Sequence, residues 1–148
     1  MNEYNYILIS LSKLKFHEEI DREYLEKLKS EILNDGFLRK PIVIDRETKV
    51  IIDGHHRAKA LIEIGAELIP AIEIDYFSNE FLVESWRNDV KIKKKDIIKA
   101  GLENKLFPPK TSKNLIIINN EAKHISHIQK DVNISLEDLG YKIKDISK

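Results

Sequence analysis

The stretch with the densest chemistry in this sequence is a turn of five residues, Asp53, Gly54, His55, His56 and Arg57. An apolar run precedes it and a stretch of helical periodicity follows it, so a strand ends and a helix begins there. The free backbone N–H groups and the dipole at the start of a helix favour anions. Arg57 adds a planar fork of donors that suits phosphate oxygens. The turn is therefore predicted to bind the phosphates of a nucleotide.

Asp53 needs a separate explanation, because a carboxylate does not bind an anion directly. Mg²⁺ is a hard cation that often combines one or two carboxylates with phosphate oxygens. We therefore expect Asp53 to hold Mg²⁺, Gly54 to permit close backbone approach, and the three side chains after it to contact the phosphates. The alternative is structural: Asp53 caps the helix and Arg57 pairs with an acid.

Apolar spacing predicts the elements that must position this turn. Strands are expected over 4–10, 68–77 and 115–119, a hairpin over 40–54, and helices over 21–36, 55–65 and 93–107. Asp21 is the expected N-cap of the first helix and Gly36 its stop. The segment 79–90 is ambiguous, 108–114 is a loop stiffened by prolines, and the tail after Val132 is expected to end in a short helical turn. The predicted class is α/β (α+β), with a small mixed sheet flanked by helices and an appended C-terminal helix–loop–strand segment.

Composition narrows the class of protein. The chain has 148 residues, which suits one domain, and 25 basic residues balance 25 acidic ones. That balance argues against bulk nucleic acid or an anionic membrane as the main partner. No apolar run is long enough for a transmembrane helix, and the N-terminus lacks the features of a signal peptide, so we expect a cytoplasmic protein. The absence of cysteine excludes disulfides and thiolate catalysis.

Residues 7–76 resemble the ParB/sulfiredoxin-like nucleotide-binding domain, most specifically in "IIDGHHRAKALIEIG". Within that superfamily the chain looks most like the archaeal free serine kinases. Three further pieces carry this resemblance: "KFHEEI" after the first strand, "IDYFS" with Trp86 beyond it, and "LFPPKTSKN". The resemblance covers roughly residues 7–114. Sulfiredoxins carry a catalytic cysteine where this chain has His55, so sulfinic-acid repair is excluded.

The resemblance implies a kinase that transfers a phosphoryl group from ATP or ADP to the hydroxyl of free L-serine. The product would be O-phospho-L-serine, a feed for cysteine biosynthesis. A single domain over 1–148 would comprise a nucleotide-binding core over 1–78 and a substrate-side segment over 79–148. Glu18 would be the base that accepts the hydroxyl proton, with Asp53 the second catalytic residue through Mg²⁺.

The resemblance also implies the remaining ligands. Lys40 would contact the nucleotide, in addition to the turn itself. The substrate side would be formed by His17, Trp86, Lys110, Thr111, Ser112 and Lys113. Pro108 and Pro109 stiffen that loop, which lowers the entropy lost on binding. The expected partners are thus L-serine and an adenine nucleotide, and the sequence does not determine the oligomeric state.

Other functions fit the residues less well. A ParB-like nucleotide switch, regulatory or associated with DNA, has no use for the PPKTSK segment, and the chain lacks the DNA-binding domains of ParB proteins. A nuclease would need more than one carboxylate beside the phosphate turn. His124 and His127 have the spacing of a helical metal pair, but no third ligand is evident.

Overall fold

The computed structural model of the chain describes residues 4–86 and 91–142. Three α-helices are present in this part: α1 (Arg22–Asp35), α2 (His55–Ile64) and α3 (Lys94–Glu103). The strands are β1 (Tyr6–Ser10), β2 (Phe37–Leu38), β3 (Ile42–Asp45), β4 (Ile51–Asp53), β5 (Leu68–Ile74), β6 (Phe81–Ser85), β7 (Ser112–Ile118), β8 (Glu121–His124) and β9 (Ile134–Ser135). Short 3₁₀ helices cover Leu11–Lys13 and Ile125–Ile128.

A mixed four-stranded sheet forms the centre, in the order β1-β5-β3-β4. β3 is parallel to β5, and the other two pairings are antiparallel. Both faces of this sheet are buried, because alternate side chains of a strand point to opposite sides. Ile42 and Ile44 pack with α1 and α2, whereas Val43 packs in a second apolar cluster with α3 and the strands that follow. The predicted mixed α/β class is therefore present, with three layers.

The local signals for the two N-terminal helices are confirmed. The Asp21 side chain accepts a hydrogen bond from the N–H of Tyr24 at the start of α1, and Gly36 ends that helix in the left-handed conformation. α2 begins after Gly54 and ends at Gly65, which is left-handed as well. The hairpin predicted over 40–54 is formed by β3 and β4.

The C-terminal half differs from the prediction. α3 ends at Glu103, four residues before the expected end, because Asn104 adopts a left-handed conformation there. β7 begins at Ser112, inside the expected loop, because β6 pairs with it from Ser85 opposite Ser112 onwards. The ambiguous segment 79–90 thus contains a strand, and its residues 87–90 lie outside the described residues.

The C-terminal segment contains a strand that was not expected, followed by a turn with one helical i→i+4 hydrogen bond, from the Leu139 N–H to Ser135 O. Ile134 and Ser135 form β9, which pairs with β2, and the next residues form a hydrogen-bonded turn. Residues 143–148 of the predicted tail lie outside the described residues. Among the helices of the described part, none combines the length and apolar character that a bilayer span requires.

Gly54 is required by the protein interior. Its φ is +109°, and a Cβ built at this position would lie 2.4 Å from Cγ2 of Ile42. The sequence suggested that this glycine makes room for a phosphate. In the structure it first makes room for β3, against which the turn is pressed.

We predict that Gly54→Ala destabilises the protein by about 3 kcal/mol, through left-handed strain and the clash with Ile42. Gly65→Ala is the matched control, since Gly65 has φ +95° but nothing lies within 4 Å of its added Cβ. The control should lose only about 1 kcal/mol. Urea unfolding of both variants measures the difference. Equal losses would show that contact with Ile42 does not constrain the turn.

Candidate functional site

An open cleft of about 900 Å³ lies between α1, the turn after β4, and the start of β7. Of the thirteen site residues predicted from the sequence, ten line it: Glu18, Lys40, Asp53, Gly54, His55, His56, Arg57, Trp86, Lys110 and Ser112. Residues from both halves of the chain therefore meet in one cleft. His17, Thr111 and Lys113 are not among its lining residues.

Glu18 lies on an extended segment held between two parts of the chain. Lys15 exchanges backbone hydrogen bonds with the β3–β4 hairpin, through Lys49 O and the N–H of Ile51. On the other side, Phe107 donates its N–H to His17 O and accepts the N–H of Glu19. The side chain of Glu18 is 12% exposed and lines the cleft, whereas Glu19 is exposed. Of these two adjacent acids, Glu18 is therefore the one whose side chain lines the cleft.

One oxygen of the Glu18 carboxylate is fixed by Ser112. Oε1 accepts the Ser112 backbone N–H at 2.9 Å and its hydroxyl at 2.7 Å. Oε2 has no hydrogen-bond partner among the described residues, so it is the oxygen left for a ligand. Burial raises the pKa of Glu18, but the nearby His17 imidazole and the hydrogen bonds from Ser112 outweigh this effect and lower the pKa to about 2. Glu18 is therefore ionised at neutral pH.

His17 is a buried support for this carboxylate. Its side chain is 0% exposed, and Nδ1 donates to Ile51 O at 2.7 Å. Its Nε2 lies 3.3 Å from Ser112 Oγ and 3.7 Å from Glu18 Oε1. The sequence placed His17 on the substrate side. In the structure it does not line the cleft, and its ring lies behind Glu18 in contact with the carboxylate and with Ser112.

The turn offers its backbone to the cleft. Gly54 precedes the first turn of α2, and the N–H groups of His55, His56 and Arg57 have no partner among the described residues. Such groups are the anion-binding donors of a helix start. The two imidazoles are committed elsewhere: Nε2 of His55 accepts the N–H of His17, and Nε2 of His56 accepts the N–H of Asp21.

Arg57 and Asp53 are tied to each other and to the C-terminal segment. Nη1 of Arg57 donates to Pro41 O, and Nη2 lies 3.4 Å from Asp53 Oδ2. The same Oδ2 accepts from Nε2 of Gln129 at 2.9 Å. Asp53 Oδ1 has no hydrogen-bond partner among the described residues, and the side chain is 28% exposed. One carboxylate oxygen is thus held in place while the other remains open to the cleft.

Gln129 is a site residue that sequence reasoning missed. It is 2% exposed, and its amide donates to Pro41 O as well as to Asp53. The backbone carbonyl of Gln129 accepts a hydrogen bond from Nζ of Lys40, which also pairs with Asp131 at 3.1 Å. A polar residue between two apolar isoleucine-rich stretches gave no periodic signal. Only the tertiary structure brings residue 129 to residue 53.

Some of the predicted substrate-side residues line the cleft, and the others support the loop or its neighbours. Lys110 lines the cleft, is exposed, and has a left-handed φ of +58°. Trp86 is 56% exposed and lies under Nζ of Lys113, which is 4.8 Å from the ring centre. Thr111 is buried, and its hydroxyl donates to Pro108 O, so it stabilises the loop. Ser112 has its hydroxyl on Glu18, as described above.

Two places could be considered for a metal ion. Among the described residues, one group of three ligand-type side chains comes together, formed by His17, Glu18 and His55. Two of its nitrogens already make hydrogen bonds to backbone groups, and Mg²⁺ prefers oxygen. Asp53 fits Mg²⁺ better, because its open Oδ1 can join phosphate oxygens in the cleft. His124 instead caps a 3₁₀ helix with Nδ1 on the N–H of Ser126, so the residues His124 and His127 form no helical pair.

Comparison with known proteins gives sequence relatives. No family model matches the chain. It is 31% identical over 107 residues, 67% of its length, to the ADP-dependent L-serine kinase of Thermococcus kodakarensis. It is 36% identical over 84 residues, 54% of its length, to the ATP-dependent L-serine kinase of Staphylothermus marinus. The matched stretches are 44% and 33% of those relatives, so the chain spans less than half of their length.

Comparison with solved structures gives the fold. A free serine kinase in complex with AMP superposes with a TM-score of 0.78, covering 94% of this chain and 95% of that one at 16% identity. The ParB/sulfiredoxin-like fold predicted from the sequence is confirmed, as is the resemblance to proteins named L-serine kinase.

The low pKa of Glu18 predicts a pH dependence of stability. Its pKa is about 2 in the folded protein and 4.5 ordinarily, so the stabilisation is complete above pH 4.5 and lost as pH falls towards 2. We expect the wild type to lose about 3 kcal/mol more than Glu18→Gln between pH 5 and pH 2. Urea unfolding across that range measures it. Parallel stability curves would show that Ser112 and His17 do not stabilise the carboxylate.

Proposed function

We propose that this relative of the L-serine kinases is itself a kinase, which transfers a phosphoryl group from ATP or ADP to the hydroxyl of free L-serine. The observation that carries the proposal is the position of Glu18. An ionised carboxylate with one open oxygen lines the same cleft as the free N–H groups at the start of α2. A base for a hydroxyl and a cradle for phosphates are the two parts that phosphoryl transfer to an alcohol requires.

The donor phosphates are proposed to bind the backbone N–H groups of residues 55–57. These donors are fixed by α2 and need no rearrangement when an anion arrives. Asp53 would hold Mg²⁺ through Oδ1, and the ion would neutralise charge on the phosphate oxygens when bound. Lys40 and Lys110 also line the cleft, and the Lys40 ammonium is paired there with Asp131. Arg57 would act mainly by holding Asp53, because its guanidinium already donates hydrogen bonds to Pro41 O and to the Asp53 carboxylate.

Glu18 is proposed to take the hydroxyl proton of serine through Oε2. The bond between the serine oxygen and the transferred phosphorus forms while the bond from that phosphorus to the bridging oxygen breaks. ATP then leaves as ADP, or ADP as AMP, and the proton passes from Glu18 to solvent. A pKa near 2 makes Glu18 a weak base, which is adequate because the transition state is loose and the proton leaves late.

Trp86 and Lys110 are the proposed contacts for serine itself. Both line the cleft beside Ser112, and Lys110 is a cation suited to the serine carboxylate. Lys113 is proposed to hold the Trp86 ring by the cation–π contact instead of binding substrate. In this proposal the protein is cytoplasmic, and its product serves cysteine biosynthesis as the resemblance implies.

The proposal predicts serine-dependent turnover. Incubation with Mg²⁺, L-serine and either ATP or ADP should yield O-phosphoserine, detected by ³¹P NMR, and a stoichiometric amount of ADP or AMP. Running the two donors in parallel determines the donor. Nucleotide binding by calorimetry without any serine-dependent turnover would contradict the kinase and favour the ParB-like nucleotide switch.

Two variants separate the roles of the carboxylates. Glu18→Gln keeps the acceptor for Ser112 but not the base, so kcat should fall by about 10²–10⁴-fold while nucleotide affinity stays within about twofold. Asp53→Asn should weaken nucleotide affinity and turnover together, by about tenfold or more, and raise the Mg²⁺ concentration needed. Steady-state kinetics and calorimetry measure both. Full activity of Glu18→Gln would show that another group accepts the proton.

A further inference from the structure

The two histidines of the turn share one hydrogen-bonding pattern. Nε2 of His55 accepts the backbone N–H of His17 at 3.2 Å, and Nε2 of His56 accepts the backbone N–H of Asp21 at 2.9 Å. These two amides bracket Glu18. A backbone N–H can only donate, so both Nε2 atoms must be unprotonated acceptors, and each neutral ring carries its proton on Nδ1.

We propose that His55 and His56 are positioning residues for Glu18, which hold the segment His17–Asp21 through neutral imidazoles instead of binding phosphate with their side chains. The inference rests on the proposed function, because Glu18 is the base there. The role expected for the two histidines changes accordingly. Their backbone N–H groups would bind the anion, and their side chains would hold the segment that carries the base.

The surroundings of the two rings favour the neutral form. His55 is 6% exposed and packs against His17 at 4.4 Å and Phe16 at 5.7 Å between ring centres. The His56 ring meets Tyr24 edge to face at 4.8 Å, and burial lowers the pKa of His56. Neutral rings keep Nε2 available as an acceptor.

The consequence is a fixed distance between the two halves of the reaction. The phosphate cradle is the first turn of α2, and the side chains of that same turn hold the segment that carries Glu18. The proposed base and the proposed phosphate site are thereby both attached to the first turn of α2. Displacements of about 1 Å in such a geometry can cost about 10²-fold in rate.

Substitution of His56 separates positioning from phosphate binding. His56→Leu removes the acceptor, whereas in His56→Gln the amide oxygen can reach the position of Nε2. We expect His56→Leu to lower kcat by about tenfold or more with the nucleotide KM within about twofold, and His56→Gln to restore most of kcat. A nucleotide KM raised about tenfold in His56→Leu at unchanged kcat would overturn the inference, as would equal loss of kcat in both variants.

A second measurement needs neither activity nor a variant. Nitrogen-15 NMR of the wild-type imidazoles at pH 7 should show protonated Nδ1 and bare Nε2 for both histidines, and the Asp21 amide should be protected from hydrogen exchange. A proton on Nε2 of His56, or a rapidly exchanging Asp21 amide, overturns the inference. If the NMR result is as expected but serine-dependent turnover is absent, the proposed function fails while the attachment of this segment to α2 stands.

Discussion

The hydrogen bonds between Ser112 and Glu18 are the constraint on which the rest of the site depends. They join residues 94 apart in sequence and fix one carboxylate oxygen with two donors at once. Ser112 is the first residue of β7, and its position is set by pairing with β6, in which it lies opposite Ser85. Two residues further along β7, Asn114 donates to Ile52 O beside Asp53. A single strand thus fixes the position of Glu18, the proposed base, relative to the turn that is proposed to bind phosphate.

The division of labour between side chains and backbone follows from burial. The turn after β4 is packed so tightly on Ile42 that only glycine fits at position 54. Side chains at the start of α2 are consequently drawn into contacts with neighbouring segments, where His55, His56 and Arg57 satisfy backbone groups. The backbone N–H groups of residues 55–57 have no partner in the described part of the chain, and they are the donors proposed to bind phosphate. A helix start presents these donors whatever side chains it carries, which makes the cradle insensitive to the other tasks of those residues.

Local signals explain what the sequence could predict. Asp21, Gly36, Gly54 and Gly65 mark the ends of α1 and α2 because caps and left-handed glycines act within a few residues. Ten predicted site residues line one cleft. They could be selected from both halves of the chain because the resemblance to a known family covers motifs in both halves. The start of β7, the β2–β9 pair and Gln129 escaped prediction. Each depends on a partner far away in the chain, and no pattern within a short window encodes such a partner.

The two segments expected from the sequence, before and after residue 78, pack against each other in one domain. Gln129 and Asp131, from the segment after residue 78, hold Asp53 and Lys40 of the segment before it. The central sheet also needs both halves, since Val43 and its neighbours on that face are covered by residues of β6, α3 and β7. Removing the C-terminal half would expose this apolar face and leave the Asp53 carboxylate with fewer donors. The cleft is therefore built by both halves of the chain, with Glu18 and the turn after β4 from the first half and Ser112 from the second.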